Sequence, residues 1–391
     1  MIKRGKIQLD FSLCMTIEMV LVAFIVFFTI IGQSSLISMC VSASFLLLFG
    51  YTALRIFQKK FDLIVILLIV FAVVNVLLNG LLSRDAQLGF NYFKKVLMFS
   101  AFILMLYYAK ADKVSDETYQ MLKHIPIWMA LLLVCSFFLG NKATYGGGIT
   151  LGFTNPNFTG MWLLHLLIYV FLFMLQLSHQ KWQRIFAVAL MAVIIWLMMG
   201  TKARSSLVGL VIFFLLCYVG KVKKNQKIYK PWMIGLIVVS PIILVALYQY
   251  LLESQWFLKI FSFMVSEGKE LDARLKVWNP AIEILKNNIW FGDYCGISNG
   301  TGSSQLHNTH LDVWCSYGLI PFLLFVYFLF QEGKKTVNSA SSYYNHCAIS
   351  GYFSIIITGS FEAAIVAGAM GMNILTIGLI LLANDKEELR R

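Results

Sequence analysis

Charge is the scarcest thing in this sequence. Only 13% of its 391 residues are Asp, Glu, Lys or Arg, while 59% are hydrophobic. Soluble domains carry roughly 25% charged residues, and even a large soluble domain needs a polar skin that this composition cannot supply. Paired cysteines are missing too. The seven cysteines are scattered, six in apolar segments and Cys295 alone in a polar stretch, which excludes a disulfide framework and a zinc or redox motif. There are no series of ~10-residue alternating segments of the kind that builds a membrane barrel. Nor is there an inverted internal repeat such as secondary transporters show. The basic start, Met1 to Asp10, leads into a full-length apolar run without a cleavage site, so no removable signal peptide is expected.

What is present is a succession of apolar runs near the length of about 20 residues that a helix needs to cross hydrocarbon. The pattern predicts an all-α integral membrane protein, a single polytopic domain over 1–391. Twelve candidate spans fall at 11–31, 36–57, 61–82, 88–109, 124–139, 158–177, 185–200, 207–220, 232–252, 309–330, 343–360 and 363–383. The fifth and seventh are short. The net charge of +13 does not point to nucleic acid, because the cations sit in short connections between spans. Most lie in one alternate set of loops, including Lys221 to Lys230 and both chain ends. The positive-inside bias then puts both termini in the cytoplasm.

One long segment carries no membrane-length run: 255–305, the heart of a 254–306 loop between the ninth and tenth spans. The charge bias makes it extracytoplasmic. Leu271, Leu275, Trp278, Ile282, Leu285 and Ile289 mark one apolar face of helix lying on the membrane surface. Asn279-Pro280 reads as a cap and first residue, so two short amphipathic helices are expected rather than one. Arg274 falls at the edge of that face, within reach of a lipid-linked phosphate. The loop then becomes rich in Gly, Ser and Thr and closes on His307-Asn308-Thr-His310-Leu-Asp312.

A histidine at such a boundary titrates near neutrality and can take a proton from a sugar hydroxyl; His310 is a candidate for supporting it. The spacing of His307, His310 and Asp312 lacks the one-face geometry of a metal site, and no metal is expected. Arg204, followed by Ser205 and Ser206 at the start of an apolar helix, combines a forked cation with exposed N–H groups that favour an anion. Lys202 in the same turn breaks the orientation bias. Lys94 and Lys95 sit early in the fourth span, where charge usually faces a cavity or a partner, and at least one is expected to point into a central chamber. Asn157 is read as the cap of the sixth span. The acids Glu18 and Glu362 are expected to pair with basic residues that the sequence does not name.

Taken in order, Phe153-Thr-Asn-Pro-Asn157, Thr201–Ser206, Arg274-x3-Trp278, Gly292, His307-Asn308, Leu311 and Gly318 resemble the bacterial O-antigen ligase and O-antigen/capsule polymerase family. The resemblance runs from about Gly152 to Pro321. It departs from the family pattern at Asp293-Tyr294, where Gly-x-Gly is commoner, and at His310 and Asp312. It implies a cofactor-free, metal-independent glycosyltransferase whose donor is an undecaprenyl-diphosphate-linked oligosaccharide and whose acceptor is a glycan hydroxyl. Flippase and chain-length-regulating proteins are implied partners. Carried over by position, Arg204 and Arg274 hold the diphosphate and His307 serves as the base. Lys94, Lys95, Lys202, Asn157, Trp278, Asn308 and His310 are the substrate-binding candidates. Polymerisation of repeat units is the leading expectation, ligation of finished glycan to a lipid core or wall polymer the second, and transport of a lipid-linked sugar the third.

Overall fold

The computed structural model describes residues 10–58, positions 63, 66, 67, 70, 71, 73–75 and 77, then 86–111, 114–141, 143–177, 180–222, 229–256, 274–293, 297, 300, 306–362 and 370–384. Among these the chain is helical almost throughout, as it must be where no water is present to satisfy backbone groups. The helices are α1 (Phe11–Ile30), α2 (Ser34–Phe57), α3 (Ala86–Ala111), α4 (Asp116–Phe138), α5 (Pro156–Gln176), α6 (Lys181–Thr201), α7 (Arg204–Val222), α8 (Pro231–Glu253), α9 (Leu275–Asn287), α10 (Thr309–Tyr317), α11 (Leu319–Ser339), α12 (Tyr343–Thr358) and α13 (Met370–Ala383). A two-residue hairpin, β1 (Thr144–Tyr145) antiparallel to β2 (Gly148–Ile149), lies between α4 and α5.

Seven of the described helices are long and apolar enough to cross a membrane: α1, α2 and α4 to α8. The protein is therefore an all-α membrane protein. The core gathers around α5, whose Trp162, Leu166, Ile168 and Tyr169 are buried. α5 packs on α4, α6 and α7, while α12 packs on α7 and α13.

Local chemistry sets where helices begin. Asp10 caps α1 by accepting from the Leu13 N–H at 2.8 Å, and Ser115 caps α4. α12 opens on a capping box formed by Ser342 and Asn345. The expected cap of α5 is shifted by two residues. Asn155 accepts from the Phe158 N–H at 2.8 Å and Pro156 takes the first helical position, where a missing N–H costs nothing. Asn157 lies inside the first turn.

Several expectations change. The fifth and seventh spans are longer than their apolar runs, at 23 and 21 residues, because polar first turns join the helices. The expected 309–330 span is broken at Gly318, which separates α10 from α11. Its φ of 88° belongs to the left-handed region, and a side chain there would collide with the carbonyl of Trp290. Within the described residues α9 is one helix running through Pro280, not two. Its Trp278, Ala281 and Leu285 are buried in a cluster with Tyr248 of α8 and Leu311 and Cys315 of α10. Burial of that face outweighs a proline cost of about 3 kcal/mol. The same packing means that Trp278 and Leu285 of the expected face meet protein, while Ile289 stays exposed. Expectations for 257–273, most of 61–82, Tyr294 to Gly296 and 363–369 lie outside the described residues.

In α8, Pro241 leaves the Ile237 carbonyl without its helical donor, and the Ser240 hydroxyl donates to it at 2.8 Å. The Pro241 carbonyl itself accepts from the Asn308 side chain of the site.

Candidate active site

Three segments far apart in sequence meet where α10 begins. Asn308 caps α10, accepting from the Leu311 N–H at 2.9 Å. Its amide nitrogen donates to the carbonyls of Pro241 at 2.8 Å and Ser360 at 3.0 Å. One buried side chain thereby ties α10 to α8 and to the turn after α12. The Thr309 N–H donates to the Gly359 carbonyl at 2.8 Å, and the Thr309 hydroxyl donates to that of Glu362 at 3.3 Å. These bonds hold the 359–362 turn over the start of α10.

The turn delivers Glu362 to its partners. One carboxylate oxygen lies 2.7 Å from His307 Nδ1, and the other lies 3.4 Å from a terminal nitrogen of Arg274. A carboxylate only accepts, so Nδ1 carries the proton, and whenever the ring is neutral Nε2 keeps its lone pair. The Glu362 side chain is 8% exposed, against 25% for Arg274 and 31% for His307. Burial pushes the Glu362 carboxyl up, but the hydrogen bond and charge of His307 and the charge of Arg274 outweigh it and hold it below the usual carboxylate range. His307 itself has φ 52°, a conformation costing a non-glycine residue on the order of 1 kcal/mol or more. The surrounding bonds enforce it.

Trp278 explains how Arg274 reaches this point. It is fully buried, and its indole N–H donates to the Leu306 carbonyl at 2.7 Å, one residue before His307. Arg274 stands one helical turn ahead of Trp278, so anchoring the tryptophan sets the arginine beside Glu362. Trp278→Phe is expected to strand the buried carbonyl, costing about 1–3 kcal/mol. Melting temperature in detergent should fall, and activity should fall further than unfolding alone explains. Unchanged activity in the folded fraction would remove Trp278 from the positioning of His307.

The remaining candidates separate. Arg204 begins α7, and Gly209 further along α7 lies against Thr358. Arg204 and Glu362 both lie beyond that contact, at the same end of the bundle. Among the described residues the half-buried Arg204 has no hydrogen-bond or ion-pair partner. Lys202 caps α6 in the left-handed conformation, φ 57°, with its ammonium beside Gly147 of the hairpin turn.

Lys95 does not open into a chamber as an unpaired charge. Its ammonium pairs with Asp312 of α10 at 2.8 Å, with both side chains largely buried. The Lys94 side chain lies outside the described residues. His310 is fully buried against the ring edges of Phe322 and Phe325. His307, His310 and Asp312 thus take different partners, and among the described residues no three His, Cys, Asp or Glu groups converge. Of the two unassigned acids, Glu362 has its cations, whereas buried Glu18 meets the Ser44 hydroxyl and, among the described residues, no basic side chain.

Sequence reading did not place Glu362 in the site. It lies 55 positions from His307 in a turn with no motif of its own, and its only signal was a carboxylate between two apolar spans.

Fold and site together define an integral membrane protein with a histidine–carboxylate–arginine cluster at one end of its helical bundle. Residues 189–326, about a third of the chain, match the family described as O-Antigen ligase, which supports the resemblance to O-antigen ligases and polymerases. The matched stretch contains Arg204, Arg274, Trp278, His307 and Asn308 but stops short of Glu362. No curated protein and no solved structure matches the chain.

Proposed function

We propose that this protein polymerises surface-polysaccharide repeat units, taking a glycan from undecaprenyl diphosphate and joining it to a sugar hydroxyl. The observation that carries the reading is the clustering of Arg274, His307 and Glu362 at the bundle end where Arg204 begins α7. In the reaction, His307 Nε2 takes the proton of the acceptor hydroxyl. The acceptor oxygen attacks the anomeric carbon, the bond to the diphosphate oxygen breaks, and its electron pair leaves on undecaprenyl diphosphate. Arg204 and Arg274 stabilise that developing charge, with forks suited to phosphate oxygens. The N-terminus of α7 adds its dipole beside Arg204.

The site belongs on the extracytoplasmic face. The cation bias supports both termini in the cytoplasm, twelve spans and an outward 254–306 loop in a bacterial cytoplasmic membrane. Lys202, two residues before Arg204, then stands at the same end of the bundle as the cluster. Transport requires charges near the bilayer midplane in two related halves, whereas this cluster sits at one end. The departures at Asp293-Tyr294, His310 and Asp312 favour polymerase over ligase, since polymerases are the more divergent branch of the resemblance.

The test is a reconstitution in nanodiscs with the host's undecaprenyl-diphosphate-linked repeat unit as sole substrate, resolved by gel. A ladder of increasing length is the expected result. Extension that waits for added lipid core or wall polymer would make the protein a ligase, and no bond formation with either acceptor would end the transferase reading.

A further inference from the structure

We infer that Glu362 is a counter-ion shared between donor clamp and base, so that a diphosphate arriving at Arg274 strengthens the hold of His307 on a proton. The inference rests on the roles proposed above for Arg274 and His307. It follows from how unequally Glu362 is shared.

The contact to His307 is 2.7 Å, typical of a charge-assisted hydrogen bond, whereas that to Arg274 is 3.4 Å, well beyond the usual 2.7–2.9 Å. Arg274 is also three times as exposed as Glu362, at 25% against 8%. Of the two partners, the arginine is the more loosely held, and it is exposed enough to meet a ligand. A diphosphate offers several anionic oxygens to its fork where Glu362 offers one distant oxygen, so the ligand wins the guanidinium. Glu362 cannot follow, because its N–H donates to the Thr358 carbonyl at 3.2 Å and its carbonyl accepts from Thr309. The carboxylate then faces His307 alone, and an unshared negative charge favours the protonated ring.

The chemical consequence is order. Without donor, Arg274 offsets the charge of Glu362 and the ring is a weaker base. With donor bound, the ring becomes a stronger base at the moment an acceptor proton has to be removed. Linkage makes the effect reciprocal: protonation of His307 must tighten donor binding by the same factor. Among the described residues, the charged groups gathered here are Glu362 from the turn after α12 and its partner Arg274 from α9, and the Lys95–Asp312 pair joins α3 to α10 five residues beyond His307. His310 is turned into Phe322 and Phe325, and Arg204 lies at the same end of the bundle on α7.

The experiment measures binding of undecaprenyl diphosphate, without sugar, to the full chain in nanodiscs between about pH 5.5 and 8.5, where imidazole titrates. His307→Asn serves as reference, because the diphosphate titrates too and its contribution is common to both proteins. Relative to that variant, the unaltered protein is expected to gain about tenfold in affinity toward the acidic end, the equivalent of one pK unit. Glu362→Gln should abolish this difference and Glu362→Asp should restore part of it; a purely structural Glu362 would lower affinity equally at every pH. Tight binding with the same pH dependence in the unaltered protein and His307→Asn would overturn the coupling and leave the donor reading standing. Absence of binding at every pH would overturn the donor reading and the coupling with it.

Discussion

Cells carrying His307→Asn at matched membrane expression are expected to lose the polysaccharide ladder and accumulate single repeat units. Asparagine is the informative replacement because it tolerates the left-handed backbone that His307 adopts, φ 52°, while removing the base. Alanine would add backbone strain to the loss of chemistry. A positioned base contributes roughly 10²–10⁴ in rate, so loss of His307 should leave at most a trace of the longest chains. A ladder of normal length from His307→Asn would show that His307 is not the base.

Arg274 carries the second large effect. Arg274→Ala should reduce glycan transfer by about 10²–10³, the range for losing one preorganised donor to a developing anion. Arg274→Lys is the sharper test. Lysine keeps the positive charge but presents a point rather than a fork, so its activity should fall between the two, with the loss concentrated in turnover rather than in donor KM. Turnover of Arg274→Lys equal to that of the unaltered protein would reduce Arg274 to a partner of Glu362 and leave the diphosphate to Arg204. The same pair of changes at Arg204 distinguishes the two cations, since Arg204 has no acidic partner among the described residues to be released.

Much of the fold was readable because its cause is local. A run of about 20 apolar residues has one stable answer in lipid, and α1, α2, α5 and α8 fall close to where hydropathy put them. Arg204 at a helix start was readable for a similar reason: a basic-serine turn ahead of an apolar run is a helix terminus. The break at Gly318 was not readable, because apolar sequence continues on both sides and only contact with Trp290 requires the left-handed glycine. Pro280 misled in the opposite direction. Its local preference for a helix start yields to the burial of Trp278, Ala281 and Leu285, a tertiary effect invisible in a window of ten residues.

The site divides along the same line. Composition and spacing by themselves determined a helical membrane protein and offered the chemical types of the site: two forked cations and a histidine beside an asparagine. Those follow from solvation and from functional groups, which a sequence states outright. Only the tertiary structure decided which charges meet. It set Lys95 on Asp312, turned His310 into an aromatic pocket, and brought Glu362 across 55 residues to join His307 with Arg274. An ion pair between distant segments depends on how helices pack, and a buried carboxylate takes the cations that packing puts within reach.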